Sequence, residues 1–140
     1  MNKNVDKRLS EAKAIAGRML NGRMFSFAEL KPSDLEDGLA VVYAIFRRDT
    51  GEALYVGRTK NLRQRLYANH LMGPESNARL KKYLVQDETL PHIRTLEDAK
   101  QFLRDYCCFQ YIAVPDTITR GQVEGLLSFL LDVRYMHEEH

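Results

Sequence analysis

Residues 39–66 read LAVVYAIFRRDTGEALYVGRTKNLRQRL. The run from Leu39 to Phe46 is β-branched and aromatic, RRDTGE offers Asp49 and Gly51 for a turn, and Ala53 to Val56 returns as a second strand. A hairpin is predicted. Gly57 ends the return strand, and Thr59 can cap a helix across 60–70 with Leu62 and Leu66 facing inward.

Upstream, Val5, Leu9, Ala12, Ile15/Ala16 and Met19/Leu20 recur at spacings of three and four. They predict an amphipathic helix over 4–20, stopped by Asn21-Gly22 in the left-handed region. Its polar side carries Lys3, Lys7, Lys13 and Arg18. Packing on the main domain is the default use of this helix; contact with nucleic acid, a second copy or a protein partner are the others. Residues 23–38, with Pro32, Ser33 and the acidic DLEDG, form a connector.

Downstream, Gly73-Pro74 breaks the helix after the hairpin, and a second helix is predicted from Asn77 to Val85. A loop around Pro91 leads to a short helix at 96–104. Tyr106 to Val114 is apolar and alternating enough for a third strand, stopped by Pro115-Asp116. Thr119 with Gln122 fits a capping box that opens a long helix to about residue 137. The expected fold class is α+β, a small three-stranded antiparallel β-sheet flanked by helices, with an extra N-terminal amphipathic helix. Residues 1–38 are helix and connector, and 39–140 the main domain, in one compact unit.

The 140 residues, 44% hydrophobic and 29% charged, have the composition of a globular chain. The net charge of +2 hides its distribution: residues 58–82 hold seven Lys or Arg against one acid, a block of +6 that suits a polyanion or a solvated helix face. Adjacent Cys107 and Cys108 rarely bridge and read as core residues in a reducing cytoplasm. MNKNVDKRLSEAKAIAG has no continuous apolar stretch, so neither a signal peptide nor a membrane span is expected.

The sequence carries no Gly-rich phosphate loop, no paired-cysteine zinc motif and no serine nucleophile elbow. His70, His92, His137 and His140 have no ligand spacing between them. Taken singly, Tyr43 and Tyr55 suit half-buried sheet aromatics, Arg65 a surface cation, and Glu124 a complement to its helix dipole. Their combination is different. VVY (41–43), YVG (55–57), TKNLRQR (59–65) and Glu124 in RGQVEGLL resemble, in order and spacing over roughly residues 40–135, the GIY-YIG nuclease domain.

The resemblance implies a divalent-metal-dependent endonuclease that hydrolyses phosphodiesters, with DNA the expected substrate. It implies one Mg2+ or Mn2+ ion held by Glu124 as the sole protein ligand, as suits a hard cation that keeps waters and takes phosphate oxygens. Arg65 would grip the scissile phosphate, Tyr43 activate or orient the attacking water, and Tyr55 bond the same phosphate. Gly57 would let the backbone turn tightly beside the substrate; Arg58, Lys60, Arg63 and His70 are further nucleic-acid contacts. Gly121 and Gly125 leave one face of the Glu124 helix bare, which suits either close packing or access to the carboxylate.

Two departures stand out. The first triplet lacks its usual glycine, and residues 125–140 hold no asparagine where many members carry one. A catalytically weak or silent nucleic-acid-binding or assembly module on the same fold is therefore the alternative.

Overall fold

The computed structural model describes residues 3–72 and 79–136. The strands are β1 (Phe25–Ser26), β2 (Val41–Arg47), β3 (Ala53–Thr59) and β4 (Cys107–Ala113). The α-helices are α1 (Lys3–Leu20), α2 (Arg79–Gln86), α3 (Leu96–Tyr106) and α4 (Thr117–Leu131), and Gln64–Met72 is wound as a π-helix. The sheet has four strands in the order β1-β4-β2-β3, with every pair antiparallel. Sequence reading expected three. The extra one, β1, lies in the segment taken as a connector and is too short for a period-two pattern to register.

β2 is central and its residues from Val41 to Phe46 are all buried, because both faces of the sheet are covered. That is why VVYAIF is continuous rather than alternating. Val41, Tyr43 and Ile45 join a core with Leu62, Leu66, Leu80, Leu84, Phe102 and Phe109, beneath the π-helix, α2 and α3. Val42, Ala44 and Phe46 join Met19, Val123 and Leu127 on the opposite face, beneath α1 and α4. β3 closes the sheet as an edge strand, and α4 packs across it.

Several predicted boundaries move for identifiable reasons. α1 does not end on a left-handed Gly22, since among the described residues the positive-φ glycines are Gly38 and Gly51. Instead the buried Gln110 side chain donates to the carbonyls of Leu20 and Gly22 at 3.0 and 2.9 Å. α4 is capped by Asp116, whose carboxylate accepts the Thr119 N–H at 2.8 Å and the Thr119 hydroxyl at 2.7 Å. The predicted cap Thr119 is thus a partner of the cap that forms. α4 stops at Leu131, where Asp132 takes a left-handed conformation at φ 50°, a region Asp tolerates. The Gly73-Pro74 break and residue 77, the predicted start of α2, lie outside the described residues.

Candidate functional site

The four residues singled out from the sequence converge at the edge strand β3. Tyr43 pairs with Gly57 across the β2–β3 ladder. Its ring crosses the bare backbone there: a Cβ on Gly57 would fall 2.5 Å from Tyr43 Cζ and closer still to the hydroxyl. Gly57 therefore sits in ordinary extended strand rather than in the tight turn expected of it. It is glycine because a phenol occupies the space of its side chain.

Arg65 arrives from the other side of that contact. Asn61 opens its helix: Oδ1 accepts the Gln64 N–H at 3.3 Å and the Gly38 N–H at 3.0 Å, while Nδ2 donates to Asp37 at 3.0 Å. Thr59, the predicted cap, accepts the Asn61 N–H at 3.0 Å and turns the chain out of β3. The Arg65 N–H then bonds the Asn61 carbonyl at 3.1 Å. The π-helical winding is a form that concentrates at functional sites. The Arg65 guanidinium is hydrogen-bonded to the Tyr43 hydroxyl, and its buried Nε has no acceptor.

Tyr43 is wholly buried, which pushes its phenol far above the ordinary value; the Tyr55 phenol beside it adds to this and Arg65 opposes it. Tyr43 is thus a neutral hydrogen-bonding group at neutral pH. Tyr55 is half-buried with its ring 6.4 Å from that of Tyr43, and burial raises its phenol while Arg79 pulls it down. Glu124 comes from α4 on the opposite face of the sheet. Partial burial raises its carboxyl above the ordinary value, and Arg58, Arg79 and Arg65 each pull it back.

The remaining sequence candidates divide. Arg58 is in the site, with Nε 3.8 Å from Glu124 Oε1. Lys60 lines a shallow groove of about 410 Å³ with Arg58, Thr59, Asn61, Gln64, Arg65, Thr117 and Arg120. Four cations and no carboxylate face that space. Arg63, expected at nucleic acid, instead donates its Nε to the Leu35 carbonyl at 3.0 Å and ties the helix to the connector. The His70 side chain lies outside those described.

Arg79 was missed. It acts on both Tyr55 and Glu124 from the start of α2. Its charge was visible in the basic block, but nothing in the sequence showed which way α2 faces. Also missed was an aromatic row: Tyr55 lies 6.4 Å from Tyr83, and Tyr83 stacks on Tyr135 at 5.7 Å. The chain beyond α4 is pinned there by Arg134 and Tyr135, which donate to Asp87 Oδ2 at 2.9 and 2.6 Å.

Residues 39–104 match the family model of the GIY-YIG catalytic domain. By that match, the segment from residue 39 to residue 104 is a GIY-YIG domain. No curated protein and no solved structure matches the chain significantly. GIY-YIG domains are generally endonucleases acting on nucleic acid, which supports a nuclease-type function. The match covers the hairpin, the π-helix, α2 and most of α3. Glu124 lies beyond it on α4 and is placed beside the GIY-YIG residues by the packing of α4 on β3. Among the described residues no helix is long and apolar enough to cross a membrane.

Proposed function

We propose that this chain is a divalent-metal-dependent endonuclease that hydrolyses phosphodiester bonds in DNA by in-line attack of water. The observation that carries the reading is the meeting of Tyr43, Tyr55, Arg65 and Glu124 at one sheet edge, opening beside a groove lined by cations.

One Mg2+ or Mn2+ ion fits this donor set. Glu124 is partly exposed, at 32% of its side chain, and the helix face at Gly125 has nothing within 4 Å of where a Cβ would stand. Among the described residues no cluster of three or more His, Cys, Asp or Glu could hold an ion. A single carboxylate suits a hard cation that keeps most of its waters and takes its other oxygens from the phosphate. When bound, the ion supplies positive charge to the phosphoryl centre and the leaving oxygen.

The chain's own residues do the rest. Arg65 presents a planar fork to the non-bridging oxygens, where charge builds as water adds to phosphorus. Tyr43, neutral and enclosed, acts on the reaction through Arg65, which it holds by its hydroxyl. Tyr55 offers a second phenolic donor at the mouth of the site. Arg58 and Lys60 take flanking phosphates in the groove. DNA enters along that groove, and water enters from the open side of Glu124.

Nicking of supercoiled plasmid with Mg2+ or Mn2+ tests the assignment. Glu124→Ala and Arg65→Ala should each lower the rate at least about a hundredfold, the scale of losing one preorganised charge contact. Wild-type rates in both variants would reject the site. A parallel RNA substrate tests the choice of DNA.

A further inference from the structure

The Gly121–Gly125 face of α4 is not uniformly bare. Arg58 pairs with Val42 across the β2–β3 ladder, and Val42 belongs to the core beneath α1 and α4, so the Arg58 side chain is directed at α4. The guanidinium lies over Gly121. A Cβ there would collide with Arg58 Nη1 and stand 3.4 Å from Cζ. In that seat Arg58 Nε is 3.8 Å from Glu124 Oε1, and the Arg58 backbone amide faces the same carboxylate. The position of Gly125, one turn on, is open. One glycine is therefore spent on a cation and the other leaves a way in.

A divalent cation arriving at the carboxylate is repelled by a guanidinium seated a few ångströms from it. Arg58 has somewhere to go. It lines the same groove as Lys60, Gln64 and Arg65, and half of its side chain is exposed. The one side chain thus borders both the carboxylate and the groove.

We propose that Arg58 is the counter-charge of the metal-free site: seated over Gly121, its guanidinium holds Glu124 in place, then swings onto a nucleic-acid phosphate when a divalent cation takes the carboxylate. The exchange keeps each anion paired with one cation before and after loading. It rests on the reading of Glu124 as the metal ligand. The competing view is an incidental surface ion pair, which contributes little and would be lost without consequence.

Calorimetric titration of the full chain with Mn2+, at low salt and without nucleic acid, tests this. Arg58→Gln should bind Mn2+ about three- to tenfold more tightly, because a positive charge about 4 Å from the carboxylate has gone. Gly121→Ala keeps Arg58 in the chain but evicts its guanidinium from the seat, and should tighten binding similarly. Its folding is secure, since Ala is preferred to Gly inside a helix. Glu124→Gln should erase the isotherm. Unchanged or weaker Mn2+ binding in Arg58→Gln, with Glu124→Gln still erasing it, overturns the proposal and leaves the metal-ligand reading standing. Tightening in Arg58→Gln but not in Gly121→Ala overturns it too, because the seat is then not what couples Arg58 to the carboxylate. A wild type that does not bind Mn2+, or a Glu124→Gln variant that binds it normally, removes the metal-ligand reading itself. With saturating Mn2+, Arg58→Gln should also lower the slope of log binding constant against log salt for duplex DNA by about one. An unchanged slope refutes the transfer to phosphate.

Discussion

Gly57→Ala is the sharpest test of how the sheet edge is built. The backbone at Gly57 is ordinary extended strand, so alanine meets no conformational objection there. The objection is spatial. The new Cβ would stand 2.5 Å from Tyr43 Cζ and 3.0 Å from Cε1, against roughly 3.5–4.0 Å for a normal carbon contact. The ring must retreat by about 1 Å, and it is fully enclosed, at 0% exposure. Overpacking of this kind costs ~1–3 kcal/mol. Displacing the phenol from Arg65 adds ~1 kcal/mol for the hydrogen bond. The expected loss is about 2–4 kcal/mol, or a melting temperature lower by roughly 6–15 °C for a domain of this size. Thermal and urea unfolding followed by circular dichroism would measure it. Tyr43→Leu, whose side chain stops short of Gly57, should relieve the clash, so a double-mutant cycle should show at least ~1 kcal/mol of favourable coupling. Gly57→Ala within ~0.5 kcal/mol of wild type, or strict additivity in the cycle, would refute the reasoning. A useful contrast is Gly121→Ala, where the obstacle is the flexible tip of Arg58; a gain of ~0.5–1 kcal/mol is expected there.

Three further outcomes follow from the contacts around this core. The Asp87 carboxyl lies well below its ordinary value because Arg134, Thr89 and Tyr135 all donate to it and offset its desolvation. Its contribution is therefore present above about pH 4 and is lost as pH falls towards the folded value. Asp87→Asn should cost about 1–3 kcal/mol at pH 7, with the gap to wild type narrowing below pH 4 in urea titrations. Asp116→Ala should lower the urea midpoint more than Thr119→Ala does, since the Asp116 carboxylate is the cap and the Thr119 hydroxyl only donates to it. Cys107 and Cys108 are both buried, and burial raises both thiols, so neither should react with a thiol reagent at neutral pH until the chain is unfolded.

The hairpin was legible because a strand buried on both faces leaves an unbroken apolar run, and that run belongs to β2 alone. Its register was not. Tyr43 meets Gly57 only because the ladder slips between Ile45 and Phe46, and a bulge of that sort follows from how the turn closes rather than from any residue count. The same gap between pattern and placement explains the site. Residues 58–82 offer seven cations of similar standing in the sequence. Because β3 runs on to Thr59, Arg58 keeps strand geometry and is sent to α4, whereas Arg63 and Arg65 are placed by the helix that Asn61 caps. Arg63 is tied through its Nε to the Leu35 carbonyl and Lys81 is buried, and neither lines the groove, so the density of charge overstated what reaches it. Two glycines then do what the cations could not do alone. At Gly57 and at Gly121 the space of a missing side chain is filled by the working end of another residue, Tyr43 in one case and Arg58 in the other. Each glycine brings a polar group to the strand edge that any larger residue would turn away. The site is specified as much by those two absences as by the carboxylate and the guanidinium it displays.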